Sequence, residues 1–410
     1  MTIEHVETLI VGGGQAGLTA SHMLSRRGRA HVVLERARIA ERWRTERWDG
    51  LRFQFPNWSV QLPDFPFKHT DPDGFTTSPD IVAFLTAYAA FIAAPVRSGV
   101  AVTHLRRRTS GARFQAETSA GPIAADNVIV ATGPYQRPVL PALLQDQPGL
   151  FQVHASRYRA PEQLPAGAVL VVGGGASGAQ IAEELVHAGR RVFLSVGHHR
   201  RMPRRYRGRD LIWWLAEMKL DQTPVEKRGS DRALPLITGA YGGHTIDFRQ
   251  FAAQGITLLG RVVASQAGVL EIAPDLGDSL LAGDAAYAAF LDLVDAYVAR
   301  QALDVPTDAD ARARLADPPD VREPMRRLDL DAAGISSVIW STGYACDFGW
   351  IDLPVFDAEG MPRHRGGITE VPGLYFLGLM WLSKMNSSFL SGVAGDAERL
   401  ANHIAGQRAG

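Results

Sequence analysis

A short apolar run, a glycine turn and a helical stretch occur twice in this chain, and that duplication constrains its fold more than any other feature. Val6–Val11 runs into Gly12, Gly14 and Gly17. Helical spacing follows over Leu18–Arg27, and Ala30–Glu35 reads as a second strand ending in an acid. The same order returns as Ala168–Val172, then Gly173, Gly175 and Gly178, then Ala179–His187 and Arg191–Ser195. A strand that feeds a tight glycine turn into a helix points backbone N–H groups and the positive helix end at one spot, where a pyrophosphate can sit. Two such units predict an α/β protein with two Rossmann-like dinucleotide-binding domains, the second inserted in the first. The expected spans are 1–155 with 325–410 for the first domain and 156–324 for the second. A chain of 410 residues is long enough for two cores.

The two loops are unequal. In the first, Gly12 permits the turn, Gly14 lets backbone approach a phosphate, and Gly17 packs helix on strand, with Gln15 and Ala16 opening the helix. Glu35, followed by Arg36, stands where a carboxylate can hold both ribose hydroxyls, which favours FAD or NAD and repels a 2′-phosphate. In the second loop, Gly173, Gly175, Ala176, Ser177 and Gly178 keep the spacing, but the second strand ends at Ser195. Arginines follow: Arg200, Arg201, Arg204, Arg205, Arg207 and Arg209. The missing acid removes a repulsion, and a guanidinium grips phosphate through two hydrogen bonds. The second loop is therefore assigned to NADPH (NADP+), with Arg200 and Arg201 as its phosphate contacts. The plainer alternative is a structural turn followed by solvated arginines. Side chains cannot store a hydride, so two dinucleotides in one chain most simply pass it from nicotinamide to flavin.

Lys+Arg and Asp+Glu both number 43, and this balance argues against nucleic acid or an anionic membrane as partner. Cys346 is the sole cysteine, which excludes a two-cysteine redox pair and a cysteine-built zinc site. No metal is expected, and the cysteine usage fits a reducing, cytoplasmic setting. No stretch reads as a targeting signal. The most apolar run, Ile81–Ala94, follows Ser78-Pro79-Asp80 as cap and first turn and stops at Pro95, so a buried helix is expected. Further helices are expected over Asp284–Gln301 and Ser387–Ile404, strands over Asn127–Thr132, Ser336–Trp340 and Gly373–Leu377, and irregular loop over Gly50–Pro72.

Along nearly its whole length the chain resembles the flavin-containing monooxygenase-like family, in its short bacterial branch. The resemblance rests on both glycine loops, on NVIVATG at 127–133 and VIWSTGY at 338–344, on PGLYFLG at 372–378 and SSFLSGVAGD at 387–396, and on Phe55-Pro56-Asn57 followed by Leu62-Pro63-Asp64-Phe65-Pro66. The linker signature keeps only His154 and Tyr158, with Pro148 and Leu150 where Phe and Gly are usual. Of Gly-Gly-x-Trp only Trp43 remains. The resemblance implies that NADPH reduces FAD, that O₂ adds at flavin C4a, and that the resulting (hydro)peroxide oxygenates a small nitrogen- or sulfur-containing nucleophile or a carbonyl compound. Asn57 is the candidate catalytic group, a neutral donor beside the adduct; its structural alternative is an amide that satisfies its own turn. Trp43, Gln61, Val102, Ala131, Thr132, Gly133, Gly378, Ser388, Phe389 and Leu390 are candidates around FAD, and Thr342 and Gly343 around NADPH. Ser387 and Ser388 are expected to open the last helix, His154 and Tyr158 to orient the linker, and Trp213, Trp214 and Tyr241 to sit in core. The alternative activity is an NADPH-dependent flavin reductase or oxidase that passes electrons to a partner or to O₂. A homodimer is compatible with all of this.

Overall fold

The computed structural model describes residues 3–231 and 233–407. Glu4–Val11 is the central strand of the first sheet because its last four residues are buried on both faces. It pairs in parallel with His31–Glu35 on one side and Ile123–Val130 on the other. His31–Glu35 then pairs with Val96–Ser98. Beyond Ile123–Val130 lie the parallel strand Leu374–Phe376 and an antiparallel hairpin of Val102–Arg107 with Phe114–Thr118. Helix Gln15–Ser25 follows the first glycine loop and packs against the last helix, Val393–Gly406. The class and the two-unit architecture are those expected.

The second sheet is wholly parallel, in the order Phe151–His154, Ile335–Trp340, Ala168–Val172, Val192–Ser195, Thr257–Leu259. Its centre is near-continuous hydrophobic run, as a sheet covered on both faces requires. Two of its strands differ from the expected division: Ile335–Trp340 and Phe151–His154 fall within the spans expected for the first unit but lie in the second sheet. Pairing decides the matter, because Ile335–Trp340 hydrogen-bonds between Ala168–Val172 and Phe151–His154. The two crossings between units run side by side, Arg137–Pro138 antiparallel to Tyr344–Ala345.

Three helix boundaries also move. The cap at 78 is Thr77, whose hydroxyl and Asp80 form a capping box one residue earlier than expected. The helix expected from Asp284 begins at Leu276. The last helix begins at Val393, so Ser387 and Ser388 do not open it. Ser387 is fully buried and its Oγ accepts the N–H groups of Ser383 and Lys384, which commits 383–388 to a turn. Trp214 is fully buried as expected, whereas Tyr241 is 57% exposed and stacks edge-on against His187. Among the described residues no helix is long and apolar enough to cross a membrane.

Candidate functional site

Each glycine loop is built by a close approach that no side chain tolerates. Gly12 has φ +116° and a Cβ there would lie 2.6 Å from the Ala131 carbonyl oxygen. Gly173 repeats this with φ +111° against the Ser341 carbonyl oxygen at 2.4 Å. Gly17 and Gly178 press their helices onto Gly12 and Gly173 in the same way. Gly14 and Gly175 have nothing within 4 Å of a Cβ position, so the backbone there is open toward a ligand. Both loops open into one cleft between the two units, enclosing about 870 Å³.

The first-loop wall carries Gly12, Gly14, Gln15, Ala16, Glu35, Arg36, Trp43, Val102, Ala131, Thr132 and Gly133. Glu35 is held rigidly: its Oε2 accepts the Gly13 N–H at 2.7 Å and its Oε1 accepts the Ala37 N–H at 3.0 Å. Gly378, Ser388, Phe389 and Leu390 come to the same wall from the C-terminal segment, tied there by Gln15, whose amide donates to the Ser388 carbonyl at 2.6 Å. The residues present therefore fit a dinucleotide: an open glycine backbone at a helix start, with a fixed carboxylate beside it.

The second-loop wall carries Gly175, Ala176, Ser177, Arg200 and Gly343. Here the arginines separate. Arg200 lines the cleft beside His198 and Asp231; its Nε lies 3.9 Å from Asp231 and His198 Nε2 lies 3.0 Å from it. Arg201 is instead spent inside the fold, on Asp247 at 2.7 Å, on Asp284 at 3.0 Å and over the Tyr287 ring at 4.4 Å. Ser195 is buried, its Oγ donating to the Gly260 carbonyl, and Thr342 donates to the Val139 carbonyl. These three shape the wall without lining it.

Asn57 and Gln61 fall outside the cleft. Asn57 starts a three-residue turn, Asn57–Ser59; its amide nitrogen donates to the Asp71 carbonyl at 2.9 Å, and its Oδ1 is buried without a hydrogen-bond partner among the described residues. Gln61 is exposed and pairs with Pro66 in a short hairpin. The amide-bearing residue of this segment that lines the cleft is Gln54, between Phe53 and Phe55, which also line it; its Nε2 donates to the Ile237 carbonyl at 3.4 Å. Arg204, 2% exposed, holds that segment: it donates to the Gln54 carbonyl at 2.7 Å and the Thr238 carbonyl at 3.3 Å, while Asp210 grips its other edge.

His154 lines the cleft with Nε2 3.1 Å from the Gly343 carbonyl oxygen, and burial pulls its pKa below the usual range. Tyr158 is fully buried and donates to Glu184 at 2.8 Å, a structural contact. Cys346 is half-buried, and burial raises its thiol pKa. Sequence reasoning missed Gln54, Gln180, Asp231 and an apolar wall in which Leu211, Ile212, Leu215, Ile237 and Met385 pack as one cluster. Gln180 alone had a local signal, lying one helical turn beyond Ala176 on the same face.

The chain matches the family described as pyridine nucleotide-disulphide oxidoreductase over residues 9–216, half its length. It is 31% identical over 406 residues to a Geobacillus kaustophilus protein named uncharacterized oxidoreductase CzcO-like, covering 97% of this chain and 98% of that one. It is 32% identical over 188 residues to the indole-3-pyruvate monooxygenase YUCCA1 of Oryza sativa, covering 44% of this chain and 45% of that one. Its fold matches the flavin-containing monooxygenase of Stenotrophomonas maltophilia with a TM-score of 0.66, at 20% identity over 98% of each chain. From its two linked glycine loops and the family match, the chain belongs to the pyridine nucleotide-disulphide oxidoreductase family, and it shares its fold with a flavin-containing monooxygenase.

Proposed function

We propose that this protein is an NADPH- and O₂-dependent flavin monooxygenase, with FAD on the Gly12–Gly17 loop and NADPH on the Gly173–Gly178 loop. The observation that carries the reading is that both loops open into one shared cleft. Bound FAD supplies hydride acceptance and oxygen activation. The chain's own residues do the rest. Glu35 orients the ribose end, the open backbone at Gly14 and Gly175 receives the two pyrophosphates, and Gln54 offers a neutral amide that donates a hydrogen bond without titrating. The cluster of Leu211, Ile212, Leu215, Ile237 and Met385 excludes water and receives the apolar body of a small nitrogen-, sulfur- or carbonyl-containing substrate.

Stopped-flow absorbance of the NADPH-reduced protein mixed with O₂ tests the reading. A species distinct from both reduced and oxidised flavin, persisting for seconds and discharged by substrate, is expected. Direct return to oxidised flavin with stoichiometric peroxide, with and without candidate substrates, rejects it in favour of an oxidase.

Although the family is described by disulphide reduction, a lone half-buried thiol cannot form an intrachain pair. Cys346→Ala is expected to keep NADPH oxidation within about twofold of wild type, since a substitution away from a special feature changes little. A tenfold loss in a steady-state assay would point to thiol chemistry.

Arg200 carries the selectivity for NADPH. Arg200→Ala is expected to weaken NADP+ binding about tenfold, the loss of one charge-assisted contact, while leaving NAD+ within about twofold. Calorimetric titration of both nucleotides checks this, and equal affinities in wild type overturn it.

A further inference from the structure

The two units also meet along a short seam beside the cleft wall. Residues 221–225 of the second unit run next to 383–386 of the first. The Asn386 N–H donates to the Asp221 carbonyl, the Met385 N–H to the Thr223 carbonyl and the Val225 N–H to the Ser383 carbonyl, each at 2.9 Å. In that seam Asn386 is 4% exposed, and its Nδ2 donates to Asp221 Oδ2 at 2.8 Å. The other two oxygens, Asp221 Oδ1 and Asn386 Oδ1, are both buried and without a hydrogen-bond partner among the described residues. Two orphan acceptors on side chains that already share a bond are satisfied together by one proton, which turns the carboxyl oxygen into a donor for the amide carbonyl. Burial pushes the Asp221 carboxyl above its ordinary range. The charged side chains around it are Lys219 on its own turn, Glu217 on the packed helix Leu211–Glu217, Glu226 and Lys227 on the next turn, and Lys384 across the seam. Of these only Lys384 acts on its titration, and it favours the ionised form.

We infer that Asp221, in its protonated form, clasps Asn386 and so acts as a positioning residue for the turn that presents Ser388 and Phe389 to the flavin wall. The link is short. The Asn386 carbonyl accepts the Phe389 N–H at 2.9 Å, and the Ser388 carbonyl accepts the Gln15 amide at 2.6 Å. A Cβ at Gly392 would lie 2.0 Å from the Asn386 carbonyl oxygen, so the turn packs directly on Asn386. The carboxylic acid and the amide exchange two hydrogen bonds, and ionisation removes one of them and returns both orphans. The seam is therefore tightest below the ordinary carboxylate range and loosens as pH rises through the raised pKa. The flavin on that wall rests on the proposed function; the clasp itself does not.

Urea unfolding in excess FAD, at about pH 4 and about pH 7, tests the clasp in wild type, Asp221→Asn, Asn386→Ala and the double variant. Asp221→Asn keeps both hydrogen bonds at every pH. Its unfolding constant is expected to lie within about twofold of wild type at the lower pH and about tenfold below it at the higher, the worth of one buried hydrogen bond. In the Asn386→Ala background the same exchange is expected to change the constant less than about twofold at either pH, because the amide that Asp221 clasps is gone. Flavin absorbance during dialysis tests the positioning. Wild type is expected to lose flavin about threefold faster than Asp221→Asn at the higher pH and at the same rate at the lower. A gain from Asp221→Asn that is equal at both pH values, or that survives in Asn386→Ala, overturns the clasp. Equal flavin loss by the two proteins at the higher pH overturns the positioning role. A wild type that carries no flavin overturns the FAD assignment and the positioning with it, while the unfolding series still decides the clasp.

Discussion

Arg204→Met is expected to cost about 3–5 kcal/mol of stability, because it removes one partner of a buried ion pair and leaves the other uncompensated. Arg204 is 2% exposed, and the Asp210 side chain is 9% exposed. Burial lowers the guanidinium pKa while the Asp210 contacts raise it, so the charge is held in place by that one carboxylate. Without it, Asp210 retains only its cap on helix Leu211–Glu217, and the Gln54 and Thr238 carbonyls lose their donor. Because Gln54 belongs to the first unit and Thr238 to the second, the loss also loosens the cleft wall. Urea unfolding followed by tryptophan fluorescence measures the cost. A double change, Arg204→Met with Asp210→Asn, is expected to recover part of it, since no bare charge remains. A cost under about 1 kcal/mol for the single variant would show the ion pair to be dispensable.

The second large effect is on flavin. Glu35→Ala is expected to weaken FAD binding about 100-fold, the order of two charge-assisted hydrogen bonds to ribose. The fold survives this change more easily than the site does, because Glu35 itself is half-exposed and water can take the place of its carboxylate beside the Gly13 and Ala37 N–H groups. Glu35→Gln keeps one accepting oxygen and is expected to lose about tenfold. The ratio of flavin absorbance to protein after dialysis separates the three proteins. Retention of flavin by Glu35→Ala at the wild-type level would remove the first loop from consideration as the FAD site.

What was legible in the chain was whatever its own neighbours decide. The turns at Gly12 and Gly173 need only a few residues and a φ near +110°. Glu35 is placed by the strand it ends, and its hydrogen bonds reach just to Gly13 and Ala37. Even there, local patterns do not separate two neighbouring amides. Asn57 and Gln54 are three apart in one aromatic segment, and the turn beginning at Asn57 takes that amide off the cleft wall while Gln54 stays on it. The arginine run behaves in the same way: Arg200 and Arg201 are adjacent, yet a strand alternates its faces, so one lines the cleft and the other meets Asp247 and Asp284.

By itself the sequence determined two glycine loops, the acid that follows only the first of them and the single cysteine, because each is a property of a short segment or of composition. Tertiary structure decided the rest. Ile335–Trp340 joins the second sheet through hydrogen bonds to strands far away in the chain. The apolar wall is assembled from 211–215, 237 and 385, and its floor from 53–55 and 388–390. The helical spacing puts Gln180 on the face of Ala176, but that its amide is buried without partners among the described residues is decided only by the packing around that helix. Burial and long-range hydrogen bonding are properties of the packed chain, and no local pattern encodes which distant segment will supply them.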